Sequence, residues 1–160
     1  MRRGIEQNER RYLMSRLLLF FVLSMCGAAA AHAQTAAESA AIRQTALDYI
    51  EGWYTGDAER MEQALHPELA KRMVSKDPQS GQSRLDQQSA MTLVRGTRAR
   101  SAKKTPEDRQ LKEVTILDAY ENAASVKIVA SDWIDYLHLA RWNGTRKIVN
   151  VLWELKPQDK

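Results

Sequence analysis

Trp133-Ile134-Asp135-Tyr136-Leu137-His138-Leu139-Ala140-Arg141-Trp142 and Thr145-Arg146-Lys147-Ile148-Val149-Asn150-Val151-Leu152-Trp153-Glu154-Leu155 flank the dipeptide Asn143-Gly144. Both runs are rich in aromatic, β-branched and Leu side chains, which suit a pleated, half-buried surface. Asn and Gly tolerate positive φ, so the pair predicts a two-residue turn closing an antiparallel hairpin. A two-residue loop sets the register: Trp142 opposite Thr145, Leu139 opposite Ile148, Leu137 opposite Asn150, Asp135 opposite Leu152. Alternation then sends Trp133, Asp135, Leu137, Leu139, Ile148, Asn150, Leu152 and Glu154 to one face. Ile134, Tyr136, His138, Ala140, Trp142, Lys147, Val149, Val151 and Trp153 take the other. Both faces are substantially apolar, unlike a sheet with one face in water. One face is expected to cover the domain's own helices and the other to meet a second subunit. Tyr136, His138, Val149, Val151 and Trp153 are the expected homodimer contacts.

Upstream of the hairpin, Leu111–Tyr120 and Ser125–Ala130 also have strand character. Whether Ser131-Asp132 turns the chain or bends one long strand stays open. Earlier still the period is helical. Ile42, Ala46, Tyr49, Ile50 and Trp53 form one apolar stripe over residues 38–54. Thr55-Gly56 ends that helix, and Asp57 is placed to cap a short second one carrying Met61, Ala64 and Leu65. Pro67 is expected to stop it. Leu69 to Lys76 alternates loosely, as a strand would, before the turn cluster Asp77-Pro78-Gln79-Ser80-Gly81. Asp86 is a candidate cap for a third helix through Met91 and Val94, with Gly96 as its stop. Residues 97–109 read as a polar, basic loop. Helices followed by a block of antiparallel strands predict an α+β fold with three N-terminal helices.

The first 33 of the 160 residues stand apart from this pattern. Arg2, Arg3, Arg10, Arg11 and Arg16 precede the apolar run Leu17–Leu23, which is followed by small residues and Ala31-His32-Ala33. That order predicts a secretory signal peptide cleaved after Ala33. The apolar run is short for a membrane span. The expected location is therefore the periplasm or the exterior, with residues 34–160 as one domain. Leu23-Ser24-Met25-Cys26 resembles a lipobox with a large residue where a small one is wanted, so lipid anchoring at Cys26 is the competing expectation. Arg10-Arg11-Tyr12-Leu13 is a partial twin-arginine match. Of 24 basic and 20 acidic side chains, the first 33 residues hold five and two, leaving 19 and 18. The basic pI belongs to the leader and is no argument for nucleic acid. The lone cysteine, Cys26, lies in the leader, so the remainder has no thiolate chemistry.

The end segments resemble a known group. Ala46-Leu47-Asp48-Tyr49-Ile50-Glu51-Gly52-Trp53-Tyr54-Thr55-Gly56-Asp57 and Leu65-His66-Pro67-Glu68-Leu69 are similar to the opening of the putative lumazine-binding family. Asp135–Leu139, Asn143-Gly144 and Lys147–Trp153 are similar to its closing hairpin. This family belongs to the nuclear-transport-factor-2-like superfamily, with the ketosteroid-isomerase-like and polyketide-cyclase-like proteins. The resemblance covers roughly residues 40–156, nearly all of the expected domain. It implies three helices in the concave side of a curved sheet, a pocket between them, and dimers through the sheet's outer face. One position departs: Arg146 stands where the family's hairpin usually carries Trp.

Candidate chemistry follows from these placements. Tyr49 and Trp53 lie one helical turn apart and either line a pocket, offering flat faces to a planar ligand, or are plain core. With them the expected pocket residues are Leu137, Leu139, Asn150 and Leu152. Asp135 among apolar side chains is either a structural carboxylate or an acid/base group. Related enzymes of the superfamily place an acid inside the cone. His66 pairs with Asp135 as a proton-transfer couple if the protein is an enzyme, or simply satisfies a helix end. No HxxxH, HExxH or thiolate spacing supports a metal site, and no phosphate-cradling glycine loop supports a nucleotide. No cofactor is expected. Arg95, Arg98, Arg100, Lys103, Lys104 and Arg109 lack interleaved aromatics and read as a solvated basic stretch rather than a nucleic-acid surface. The leading expectation is an exported binder of a small hydrophobic or planar molecule, without a stable membrane span once the leader is removed. The alternatives are an isomerase, dehydratase or cyclase using Asp135 and His66, and a dimeric interaction protein with a filled core.

Overall fold

The computed structural model describes residues 36–157. The expected leader, its cleavage site and Cys26 lie outside the described residues. The chain runs α1 (36–55), α2 (Ala58–Ala64), β1 (Leu65–Lys76), β2 (Ser83–Ser89), α3 (Ala90–Ala99), a short 3-10 turn (Glu107–Arg109), β3 (Lys112–Tyr120), β4 (Ala123–Ala130), β5 (Trp133–Trp142) and β6 (Thr145–Leu155). The six strands form one sheet in the order β2-β1-β6-β5-β4-β3. Every neighbouring pair is antiparallel except β1 and β6, which are parallel. The sheet is thus mixed rather than purely antiparallel, and two strands precede the third helix.

The apolar stripe of α1 is buried as its spacing requires: Ile42, Ala46, Tyr49 and Ile50 are all in the core. Tyr54 joins them, its hydroxyl donating to the Leu111 carbonyl at 2.7 Å and accepting from the Ser131 amide at 2.9 Å. Such bonds satisfy a phenol that would otherwise be buried at a cost. Gly56 closes the helix at φ 71°, and a Cβ there would lie 2.5 Å from the Ser101 Cα. Only glycine fits both the backbone and the space. Asp57 caps α2 by accepting from the Arg60 amide at 3.0 Å, as the spacing predicts.

The middle of the chain departs from expectation. Helix α2 ends at Ala64, and Pro67 lies within β1. Asp86 sits in β2, and the third helix begins later, with the Ser89 hydroxyl accepting from the Thr92 amide at 3.3 Å. Gly96 lies inside α3 rather than after it, where a Cβ would lie 3.6 Å from the Trp53 ring. Ser131-Asp132 does turn the chain, pairing Val129 with Ile134 in an antiparallel hairpin.

The terminal hairpin has the predicted ends and turn, with Asn143 at φ 48° and Gly144 at φ 80°. Its register holds only from Trp142–Thr145 to Leu139–Ile148. Beyond that, one extra residue, Val149, enters β6, and the pairs become His138–Asn150, Leu137–Val151, Tyr136–Leu152 and Asp135–Trp153. This is a β-bulge, two residues opposing one. It places Val151 and Trp153, expected on the dimer face, on the helix-facing side, and sends Asn150 and Leu152 outward. The core between helices and sheet includes Val126, Ile128, Leu137, Leu139, Ile148 and Val151, each at most 2% exposed. Each such side chain contributes roughly 1.5–3 kcal/mol on burial.

Candidate binding site

Four elements bring one polar group into the apolar interior. Asp135 of β5 is fully buried, and Lys71 of β1 is 6% exposed. Strand alternation explains both. Leu69 and Lys71 share the inward face of β1, and Lys71 pairs with Val151, itself opposite Leu137, two residues from Asp135. The Lys71 ammonium donates to Asp135 Oδ1 at 2.8 Å and to the Tyr49 hydroxyl at 2.5 Å. The Tyr49 hydroxyl in turn donates to Asp135 Oδ1 at 3.4 Å. Trp133 Nε1 donates to Asp135 Oδ2 at 2.6 Å. Both carboxylate oxygens therefore have donors. The ammonium also lies 4.5 Å from the Trp153 ring centre and 5.3 Å from that of Tyr49, within cation–π range.

Electrostatics follow from the burial. Desolvation pulls the Lys71 ammonium below its ordinary value, with the Asp135 charge and hydrogen bond opposing it. Desolvation pushes the Tyr49 phenol well above its ordinary value, and the neighbouring Asp135 charge adds to the rise. Tyr49 thus stays a neutral phenol at physiological pH.

Beside this cluster lies a hollow of about 280 Å³. Tyr49, Trp53, Trp133 and Trp153 supply aromatic walls, with Lys71 among the lining side chains. The rim carries Gln88, Arg100, Thr105 and the exposed Asp132. The Arg100 guanidinium carbon lies over the Trp53 ring, 4.6 Å from its centre, within cation–π range. Thr105 is held by its amide on the Tyr54 carbonyl at 2.9 Å and by the Gln110 side chain on its own carbonyl at 2.8 Å.

Of the residues expected to line a pocket, Tyr49 and Trp53 do so. Leu137 and Leu139 share the inward face but are core, 1% and 2% exposed, and do not line the hollow. Leu152 is 50% exposed on the opposite face. Asn150, on that same outer side, accepts from Arg72 at 3.1 Å and meets His138 Nδ1 at 3.3 Å. Tyr136 and His138 are exposed on the outer face as expected. His66 stands at the turn end of the hairpin, edge-on to Trp142 with ring centres 4.7 Å apart, its Nδ1 accepting from the Glu68 amide. Asp135 is near the other end of the same strand, so the two do not form a couple. Lys71 and Arg100 are the residues the sequence reading missed. A lysine in a loosely alternating strand and an arginine in a basic stretch both look like solvent-facing charges. The one available signal was that Lys71 falls two residues after Leu69. Arg146, the departure from the family pattern, is buried, with Nη2 donating to the Glu121 carbonyl at 2.8 Å.

Among the described residues no group of three or more His, Cys, Asp or Glu is placed to hold a metal ion, and no helix is long and apolar enough to cross a membrane. Comparison with known proteins bears on the fold. The family model described as putative lumazine-binding matches residues 37–154. No curated protein matches the chain. Solved structures do. A nuclear-transport-factor-2-like protein of unknown function from Shewanella baltica is 20% identical with a TM-score of 0.58, over 77% of this chain and 97% of that one. One from Silicibacter pomeroyi, also of unknown function, is 14% identical with a TM-score of 0.60, over 76% and 98%. A third, from Novosphingobium aromaticivorans and described as having a cystatin-like fold, is 12% identical with a TM-score of 0.53, over 81% and 89%.

Proposed function

Since the chain belongs to the putative lumazine-binding family of nuclear-transport-factor-2-like proteins, we propose that it binds a small planar molecule in the hollow between α1, α3 and the β1-β6-β5 part of the sheet. The observation that carries this reading is the wall chemistry. Three indoles and two phenols, Tyr49 and Tyr54, line about 280 Å³, and the buried charge beside them, Lys71, is already met by Asp135 and Tyr49. Ligand sites are mostly apolar and aromatic with a few placed polar groups, and this volume falls just below their usual range of roughly 300–1,000 Å³, which restricts it to a small ligand. One or two fused rings fit such a space. Lumazine, the molecule in the family's description, is a ligand of that shape.

A catalytic reading built on Asp135 and His66 lacks its second member in this cavity. Binding without turnover is therefore the stronger reading. The test is a thermal-shift and calorimetric screen with pterins, flavin fragments and bicyclic aromatic acids. Saturable binding that weakens in Trp53→Ala supports the proposal. Absence of binding across the whole set sinks it.

Two further parts of the reading concern context. The outer sheet face bears Tyr136 and Leu152 as an exposed cross-strand pair, with Val74 and Leu85 as another. Such exposed apolar pairs suit a homodimer through that face. The order of charge, apolar run and Ala31-His32-Ala33 supports export to the periplasm or exterior. N-terminal sequencing of the protein recovered from a native host's periplasm would find Gln34 first; recovery with Met1 in the cytoplasm would end that proposal.

A further inference from the structure

We propose that the ligand of this hollow is an anion, a planar aromatic or heteroaromatic ring bearing a carboxylate, whose acid group is taken by Arg100. The inference rests on the binding reading above and names the chemical class of its ligand.

The two cations at the hollow differ in one respect. Lys71 has its counter-ion: Asp135 is 2.8 Å away and both carboxylate oxygens are occupied by neighbouring donors. Arg100 has none. Its guanidinium makes one weak bond, Nη2 to the Thr105 hydroxyl at 3.5 Å, and among the described residues no carboxylate pairs with it. Its Nε is buried without a partner. Of the two acids lining or adjoining the hollow, Asp135 is taken up by Lys71, Tyr49 and Trp133, and Asp132 is exposed at the rim without an ion pair to Arg100.

Nor is Arg100 a free surface charge. It is half-buried at the C-terminal end of α3, its amide donating to the Gly96 and Thr97 carbonyls at 3.2 and 3.0 Å. The guanidinium carbon lies over the Trp53 ring, which α3 backs through Gly96. Thr105 steadies one edge of the fork and is itself held by Tyr54 and Gln110. The group is therefore oriented before any ligand arrives, which lowers the entropy lost on binding. A guanidinium offers paired donors that match a carboxylate, and such charge-assisted pairs are the strong ones. The adjoining aromatic walls would hold a ring, so one molecule with a flat body and an acidic end satisfies both features at once.

Calorimetry on the purified protein tests this with two probe pairs: naphthoate and quinaldate, each against its neutral primary amide. The acids should bind about tenfold or more tightly than the amides, since the amide loses the charge-assisted bond but keeps the ring. Arg100→Ala and Arg100→Gln should abolish that preference, and Arg100→Lys should keep part of it. Two neutral variants guard against one that fails to fold. Equal binding of acid and amide by the unaltered protein overturns the anionic class and leaves the aromatic pocket standing. Binding of none of the four overturns both readings. A preference for the acids that survives in both neutral variants removes Arg100 from the site.

Discussion

The ammonium of Lys71 lies 2.8 Å from the carboxylate of Asp135, and the two side chains are 7% and 0% exposed. A pair so far from water owes its survival to its neighbours, since desolvating two charges costs several kcal/mol each unless further bonds complete them. Tyr49 and Trp133 complete this one.

Removing one partner should therefore cost more than removing both. Lys71→Met leaves the carboxylate without its counter-charge and should lower stability by about 3–5 kcal/mol. The double variant Lys71→Met with Asp135→Leu should be more stable than Lys71→Met alone. Urea denaturation of the unaltered protein, Lys71→Met, Asp135→Leu and the double variant gives the coupling directly. Additive losses would show that the two charges do not support one another.

Glu51 provides a pH handle outside the hollow. Burial pushes its carboxyl up, but the Lys112 hydrogen bond and the Arg60 charge outweigh that and hold it below its ordinary 4.5. A carboxyl depressed in the folded state binds protons better when unfolded, so its contribution is present above pH 4.5 and is lost as pH falls through the lower, folded value. Glu51→Gln should therefore lower stability at neutral pH and flatten the decline below pH 4.5. Melting curves between neutrality and strong acid check this; an acid limb of unchanged steepness contradicts it.

Glycines 56 and 144 both have positive φ but differ in their surroundings. A Cβ at Gly56 meets the Ser101 backbone at 2.5 Å, whereas one at Gly144 meets nothing. Gly56→Ala should cost about 3 kcal/mol or more, strain and clash together. Gly144→Ala should cost about 1–2 kcal/mol, the strain alone. Equal losses in denaturant titrations would mean that the close approach of α1 to the segment after α3 is unimportant.

On the outer face, Tyr136→Asp puts a charge into the proposed subunit contact without touching the core. Sedimentation should find dimers for the unaltered protein and monomers for the variant, with the same melting behaviour at low concentration. Monomers in both cases would remove the dimer from the proposal.

The family and the helix-plus-sheet class were legible because their signals are local and strong. Asn143-Gly144 tolerates the positive φ that a two-residue hairpin turn demands, and the Ile42-to-Trp53 stripe has one period. The site was legible only in part. Tyr49, Trp53 and Asp135 announce themselves as aromatics on a helix stripe and as an acid among apolar neighbours. Lys71 does not, since a lysine's default is water and its partner lies 64 positions away. Strand β2, Ser83–Ser89, has one apolar residue in seven and looks like a loop; it is a strand because β1 pairs with it. Asp86 and Ser89 are equally good caps three residues apart, and only the pairing of Asp86 with Met73 excludes the first.

Val149 has a consequence out of proportion to its size. A run reading Ile-Val-Asn-Val-Leu-Trp carries the same side chains whichever way it is phased, so nothing in it reveals which indole or aliphatic group goes inside. The surplus residue inverts the second half of β6, from Asn150 onward. The strand answers to the Asn-Gly turn at its start and to the Lys71 ammonium at its end, two demands that an uninterrupted alternation could not meet together. Were Val149 instead paired with His138 in unbroken alternation, Trp153 would turn toward solvent and the aromatic wall of the cavity would open; the bulge is what keeps that indole inside.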